Sequence, residues 1–264
     1  MNTKISIITI NYNNKEGLAN TIKSVLSQTY LNLEYIVIDG ASKDGSEDII
    51  KAAKKNISYC ISEQDTGVYN AQNKGIKKAT GDYCLFLNSG DLFYNVHSVE
   101  DLVNSSKGYD IVYGNIIFKS GNFELIHDYP SILSFEYFIK DTIPHPGTLI
   151  RRSLFNEYGL YKEDIKICAD WAFFIDAICK HNVRYYHLNK PIAIFLLGGI
   201  SSRKDSVENI TAEKNKYLLE QYPAFIEEFK RSQLYKNKLN LLKRSRLIRL
   251  ISFFSKKIET VLFD

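Results

Sequence analysis

An α/β fold, with a mostly parallel central sheet flanked by helices, is what the sequence of this 264-residue chain predicts. Three observations lead there. Short strand-like apolar runs alternate with helical stretches through residues 1–95. The helical stretches are roughly 10–14 residues long, enough to carry a chain from one parallel strand to the next. An acidic residue ends or follows three of the runs, where a parallel sheet presents its ligand-binding groups.

The elements follow in order. Ile5–Ile10 reads as a buried strand, after which Leu18, Ile22, Val25 and Leu26 recur at helical spacing. Tyr35–Asp39 is a second strand, and Ser46–Lys55 a helix entered through a Ser/Asp/Gly cluster. Ile57–Ser62 is a third strand, Val68–Ala79 a helix ended by Gly81, and Tyr83–Leu87 a fourth strand. Past Asp91 the alternation loosens. Asp110–Asn115, Ile116–Lys119 and Phe123–His127 read as a strand and hairpin about Ser120-Gly121-Asn122. Helical stretches are expected at Ser131–Ile139, Ser153–Tyr158 and Asp170–His181, and short strands at Arg184–His187 and Ile192–Leu197. From Ser206 onward the pattern is helical, broken at Pro223.

Hydrophobic residues at 45% and charged residues at 24% are ordinary for a globular protein, and 18 Tyr and 15 Phe against 5 Pro argue for a packed, strand-rich core. Residues 230–264 hold ten Lys/Arg against Glu259 and Asp264, a net of +8. The first 229 residues then hold 24 basic and 28 acidic side chains, a net of −4. A nucleic-acid-binding body would spread positive charge over the domain instead. Cys60, Cys84, Cys168 and Cys179 are far apart and form no C-x-x-C pair, so buried thiols in a reducing, cytoplasmic setting are expected rather than disulfides or a zinc site. Met1 to Lys4 lead directly into the first strand without a signal-peptide pattern, and no apolar stretch reaches the roughly 18 residues of a membrane span.

The acidic residues locate the chemistry. Asp39 ends the second strand, Asp65 follows the third, and Asp91 follows the fourth after Asn88-Ser89-Gly90. Carboxylates past three successive parallel strands meet in one crevice, which suits a hard divalent cation carrying substrate phosphates. Each Asp alone also reads as a turn former or helix cap.

Here a family resemblance enters. Ser6-Ile7-Ile8-Thr9-Ile10-Asn11-Tyr12-Asn13 resembles the opening strand and loop of family 2 glycosyltransferases. Ser24 to Tyr30 is similar to the end of their first helix, and Glu34 to Ser46 to their second strand and its acidic turn. Gly67 to Gly75 and Leu85-Phe86-Leu87-Asn88-Ser89-Gly90-Asp91 complete the set, in order and at family spacing over residues 4–95. The resemblance implies a GT-A-type fold and an inverting transfer from a nucleoside diphosphate sugar, UDP-linked, to a hydroxyl of a glycan or lipid-linked acceptor in polysaccharide biosynthesis. It implies a catalytic domain over residues 1–200, with a nucleotide-sugar half at 1–95 and an acceptor half at 96–200. A helical C-terminal extension follows at 205–264.

The resemblance also implies roles. Thr9, Asn11, Tyr12, Asn13 and Asp39 would hold the nucleobase, with Tyr12 available for stacking, and Asp65 would lie near the base or ribose. Asn88 belongs to the same donor loop, and Asp91 matches the last carboxylate of the D-x-D-type motif, which binds Mn²⁺ or Mg²⁺. This chain departs from the pattern in four places: Gly40 replaces a frequent Asp, Gln72 a frequent Arg, and Asn88 and Gly90 carboxylates. The cation would therefore rely on diphosphate oxygens and water as well as Asp91. The base for the acceptor hydroxyl falls on Asp170 in Cys168-Ala169-Asp170-Trp171, with Asp164 the runner-up and a helix cap the structural alternative. Trp171 would stack on a sugar face or pack in the core. His145, in Ile143-Pro144-His145-Pro146-Gly147, would contact the acceptor or diphosphate or serve only as a turn residue. Arg203, after Gly198-Gly199, would meet the leaving diphosphate from a lid or lie in an ordinary loop.

In the tail, Leu247, Ile251, Phe254, Ile258 and Val261 recur at helical spacing with Arg246, Arg249, Lys256 and Lys257 largely off that line. Such a basic amphipathic helix docks on an anionic membrane face, here the inner face of the plasma membrane, or packs on the domain or a partner subunit of a homodimer. Competing classes fare worse. Asn11-Tyr12-Asn13-Asn14 stands where a dinucleotide oxidoreductase has G-x-G-x-x-G, and the glycine-rich basic loop of a nucleotidyltransferase is absent at the same point. No Ser sits in a nucleophile elbow. A non-catalytic sugar- or nucleotide-binding protein on the same fold is the alternative that stays open.

Overall fold

A computed structural model of the chain describes residues 3–199 and 206–244. Strands β1 (Ile5–Asn11), β2 (Leu33–Asp39), β3 (Tyr59–Ser62) and β4 (Tyr83–Phe86) alternate with helices α1 (Lys15–Leu26), α2 (Ser46–Ala53) and α3 (Val68–Lys78). All four strands are parallel, in the spatial order β3-β2-β1-β4. Their carboxyl ends therefore share one edge. The runs form strands because β1 and β4 are buried on both faces, which selects continuous apolar sequence over alternation. Helix α1 is capped by Asn14, whose Oδ1 accepts from Gly17 N at 3.1 Å, and it buries Leu18, Ile22 and Val25 along one stripe. Gly75 lets α3 settle on β1, since a Cβ there would meet Ile8 Cγ2 at 2.5 Å.

The remaining strands extend the same sheet. They are β5 (Leu92–Phe93), β6 (Ile111–Ser120), β7 (Phe123–His127), β8 (Thr148–Arg151) and β9 (Tyr185–Leu196), interspersed with α4 (Ser98–Asn104), α5 (Phe135–Lys140), α6 (Ser153–Glu157) and α7 (Ala169–Ile175). The order continues β4-β8-β6-β9-β5, with β7 paired to β6 in the expected hairpin. Three sequence expectations are corrected here. The runs 110–115 and 116–119 are one strand, and the runs at 184–187 and 192–197 are also one strand. A bulge opposite Gly114 and Asn115 loops out Asn189 and Lys190 and interrupts the apolar pattern without ending the ladder. The helix expected over 170–181 is α-helical only to Ile175 and continues as a π-turn over Asp176–Lys180. Helices α8 (Ser206–Gln221) and α9 (Pro223–Arg244) follow, divided at Pro223 as its fixed φ and missing N–H require.

The chain divides into compact units Met1–Lys214 and Asn215–Asp264. Arg203 and the tail stripe from Leu247 to Val261 lie outside the described residues. No helix among the described residues is long and apolar enough to cross a membrane. All four cysteines are free thiols, and burial pushes Cys84 up to about 12.

Glu34 anchors the opposite edge of the sheet. Its buried carboxylate accepts from Lys4 Nζ, Ser6 Oγ and Thr80 N, each at 2.8 Å, and from the Thr80 hydroxyl. Burial alone would raise its pKa, but these four donors outweigh it and hold the carboxyl at about 2. A depressed folded-state pKa stabilises above the unfolded value, and that contribution is lost as pH falls from about 4.5 to about 2. Glu34→Gln is therefore expected to lose about 2 kcal/mol of unfolding free energy at pH 7 and nearly none of it at pH 2. Urea titrations of both proteins at the two pH values check this; equal losses at both would refute the charge as the cause.

Candidate active site

The carboxyl edge of β1 to β4 is built from short polar loops tied to one another. Asp39, at the end of β2, is fully buried. Its Oδ1 accepts from Asn11 Nδ2 at 2.7 Å and Ser42 Oγ at 2.6 Å, and its Oδ2 from Ser62 Oγ at 2.6 Å and Ser42 N at 3.0 Å. Burial pushes its pKa up, yet the donors from Ser42, Ser62 and Asn11 bring it below the ordinary value. With four donors held, Asp39 fixes the loops around it and has little accepting capacity left for a nucleobase. Asn11 is buried as well, and its Oδ1 has no partner among the described residues. Asn13 takes a left-handed φ of 48°, which turns its N–H onto Ser42 Oγ at 2.8 Å and its Oδ1 onto Lys43 N at 2.8 Å.

That turn leaves Tyr12 standing clear of the protein at 68% exposure. Its ring and the Asp65 carboxylate flank Gly40: a Cβ on Gly40 would lie 3.1 Å from Tyr12 Cδ2 and 2.6 Å from Asp65 Oδ2. Glycine at this position lets the Tyr12 ring and the Asp65 carboxylate close over the backbone, where a side chain would collide with both. Asp65 is itself oriented by Gly67 N, at 3.0 Å from Oδ1.

The loop after β4 is pinned from two sides. Asn14 Nδ2 donates to Ser89 O at 2.9 Å, Thr21 Oγ1 donates to Asp91 O at 2.8 Å, and Gly90 N donates to Thr21 Oγ1 at 2.9 Å. Gln72 Nε2 reaches Asn88 Oδ1 at 3.3 Å, while Gln72 Oε1 is buried without a partner among the described residues. Asp91 is 6% exposed, and the donor facing its carboxylate is Leu196 N at 3.4 Å. Burial pushes its carboxyl up to about 8. A buried carboxylate with so little compensation suits a bound cation, which would offset the desolvation penalty. Among the described residues no three His, Cys, Asp or Glu side chains gather as a metal cage. Asp91 would thus share the ion with ligand oxygens.

Asp170 lies in the first turn of α7, but Cys168 occupies the N-cap position. The Asp170 carboxylate does not cap its own helix; Oδ1 accepts from the Tyr69 hydroxyl at 2.8 Å. Two devices hold α7 in place. Asn73 of α3 pairs with the Tyr161 backbone, Nδ2 to O at 2.9 Å and Oδ1 from N at 3.1 Å. Glu213 of α8 accepts from Lys166 N at 2.9 Å, Ile167 N at 3.0 Å and Cys168 N at 3.3 Å, completing the backbone donors ahead of the helix. Asp164 lies exposed in the preceding turn.

Three expectations are corrected by burial. Thr9 is fully buried, donating to Leu87 O at 2.7 Å and accepting from Tyr35 OH at 3.0 Å, so its side chain is core and not a ligand contact. Trp171 is 1% exposed and donates Nε1 to Phe138 O at 2.7 Å, which leaves no face for a sugar. His145 is packed on Phe86 at 4.5 Å between ring centroids and shares a 2.9 Å hydrogen bond with Tyr161 OH. Burial lowers its pKa, so it is a neutral imidazole behind the site, not an exposed contact. Thr21, Gln72, Tyr69 and Glu213 are site-building residues that sequence reasoning gave no role.

The model of the family described as "Glycosyl transferase family 2" matches residues 6–164, more than half of the chain. The chain belongs to glycosyl transferase family 2. It is 34% identical over 179 residues to an uncharacterised glycosyltransferase of Mycobacterium tuberculosis, covering 66% of this chain and 68% of that one. It is 31% identical over 193 residues to a PGL/p-HBAD biosynthesis glycosyltransferase of Mycobacterium bovis, covering 69% and 73%. Among solved structures, Staphylococcus aureus TarS 1–349 in complex with UDP-GlcNAc superposes with a TM-score of 0.64 at 19% identity, over 82% of this chain and 71% of that one. The mannosyltransferase PcManGT from Pyrobaculum calidifontis, in complex with GDP-Man and Mn²⁺, gives 0.62 at 15% identity over 86% and 65%. This transferase therefore has the GT-A-type fold its first 95 residues predicted, and its edge of Tyr12, Asp65, Asn88 and Asp91 is the candidate active site of a glycosyltransferase.

Proposed function

We propose that the protein transfers a sugar from a nucleoside diphosphate sugar, UDP-linked, to a hydroxyl of a glycan or lipid-linked acceptor, with inversion at the anomeric carbon. The observation that carries this reading is the edge itself. The exposed Tyr12 ring and the Asp65 carboxylate stand together over Gly40, and the buried, barely compensated Asp91 carboxylate stands on the same sheet edge. These two side chains suit a nucleobase and ribose: Tyr12 offers a stacking face and Asp65 an acceptor for ring N–H or hydroxyl groups. Asp91 would hold Mn²⁺ or Mg²⁺ together with diphosphate oxygens, and the bound ion would neutralise charge on the departing diphosphate. Asn11 Oδ1 and Gln72 Oε1, both buried and unpaired among the described residues, are acceptors that suit donor hydroxyl or amide groups.

The chain's own chemistry is proton transfer. The acceptor oxygen forms its bond to the anomeric carbon as the bond to the diphosphate oxygen breaks, and the Asp170 carboxylate takes the hydroxyl proton. Attack from the face opposite the leaving group inverts the centre. The mycobacterial relatives named for PGL/p-HBAD biosynthesis support a glycan or glycolipid acceptor. Such an acceptor fits a cytoplasmic enzyme working at the inner membrane face, with the basic tail of residues 230–264 as its contact.

Calorimetric titration tests the donor reading. UDP is expected to bind wild-type protein at least roughly tenfold more tightly with Mn²⁺ than without, and Asp91→Asn is expected to abolish that difference. Equal UDP affinity with and without the ion would remove Asp91 from the donor site.

A further inference from the structure

Asp170 has a partner from a different element, and the geometry gives that partner a task. We infer that Tyr69 is a positioning residue for the base, holding the Asp170 carboxylate through Oδ1 so that Oδ2 faces the acceptor hydroxyl. The inference rests on the reading of Asp170 as the base. Tyr69 sits in the first turn of α3, directly after Gly67, whose φ of 135° turns the chain from the Asp65 loop into the helix. Its side chain is 5% exposed, and its hydroxyl stands 2.8 Å from Asp170 Oδ1 and 2.7 Å from Ile167 O.

One proton thus has two acceptors in reach. With Asp170 ionised, the carboxylate is the stronger acceptor, and a charge-assisted bond fixes its rotamer. When Asp170 takes the acceptor's proton, the phenol turns its own proton onto the Ile167 carbonyl, and no buried group is left unpaired. The phenol remains a donor throughout, because burial and the neighbouring Asp170 charge push its pKa well above the ordinary value for tyrosine. The Tyr69 ring packs on Tyr161 at 5.6 Å between centroids, which fixes where the hydroxyl points.

The other groups whose charge couples to Asp170 are Tyr161 and His145 beneath it, Cys168 on its own helix start, and Lys214 of α8. Tyr161 bonds His145 Nε2 at 2.9 Å, so Tyr69 is the phenol that touches the carboxylate directly.

The test is Tyr69→Phe, which keeps the ring and removes the hydroxyl, with Tyr161→Phe as a buried phenol of the same cluster that does not touch Asp170. Transfer rates would be followed from pH 5 to pH 9, using the donor sugar the wild-type enzyme turns over. For Tyr69→Phe, kcat is expected to fall roughly tenfold to a hundredfold at neutral pH with KM for the donor little changed. Tyr161→Phe is expected to keep kcat near the wild-type value, which separates positioning from loss of a core hydroxyl. A Tyr69→Phe profile that overlays wild type, in a protein with unchanged melting temperature, would overturn the inference. Asp170→Asn keeps the two readings apart: near-wild-type transfer by that variant would remove the base itself, whereas its inactivity beside an unchanged Tyr69→Phe profile would remove only Tyr69.

Discussion

Asp170→Asn is expected to lower sugar transfer by roughly 10²- to 10⁴-fold, the range over which a positioned general base acts. The substitution is nearly isosteric. Its amide can still accept from Tyr69 through the carbonyl oxygen, so the local hydrogen bond to Oδ1 persists and only the capacity to take a proton is lost. Donor affinity, measured by UDP titration, should stay within about twofold of wild type, since Asp170 belongs to α7 and not to the loops after β1 to β4. A parallel loss of UDP binding would instead place Asp170 in donor recognition, and full retention of transfer would move the base elsewhere, Asp164 first.

Asp91→Ala is the second large effect, and its two readouts move in opposite directions. Turnover is expected to fall by roughly 10²- to 10³-fold, because charge developing on the diphosphate loses its cation. The ligand-free protein, by contrast, is expected to melt at an equal or higher temperature. Among the described residues the 6%-exposed Asp91 carboxylate accepts one long hydrogen bond, from Leu196 N, and removing a poorly compensated buried carboxylate relieves a desolvation cost. The neighbouring Thr21, Ser89 and Gly90 contacts run through backbone atoms of the loop or through Thr21 itself, and they survive the change. A marked drop in melting temperature together with the activity would point to a structural carboxylate.

The two halves of the sheet differ in how openly the sequence encodes them. Strands β1 to β4 were legible because each is a short apolar run bounded by turn residues, and because helices of the right length separate them. Beyond Asp91 the pairing partners are distant in sequence: β8 inserts between β4 and β6, and β9 runs beside β6 across a bulge. No local pattern records such pairings. Strand β5, at two residues, and α4, at seven, are too short to show a period.

The site was partly legible for the same reason. Asp39, Asp65 and Asp91 do reach one edge, since parallel strands impose it. What each then does depends on neighbours that spacing cannot reveal. Asp39 is saturated by Ser42, Ser62 and Asn11, whereas Asp91 is nearly bare. Thr9 and Trp171 carried family-like or sugar-binding character in the sequence, yet a strand buried on both faces and a helix packed under α5 put them in the core. Tyr69 escaped notice because an aromatic in the first turn of an amphipathic helix reads as packing, and its ring does pack; its hydroxyl meets Asp170 only through a contact 101 residues away in the chain.

The central claim is that this edge turns over a nucleoside diphosphate sugar with a cation at Asp91. The most direct measurement is hydrolysis of a panel of UDP- and GDP-sugars without acceptor, with and without Mn²⁺, by wild-type protein and Asp91→Ala. Mn²⁺-dependent release of nucleoside diphosphate from one donor, lost in Asp91→Ala, is the predicted result. Release that is the same without the ion, or the same in both proteins, would contradict the role given to Asp91, and no release from any donor in protein that also fails to bind UDP would contradict the account as a whole.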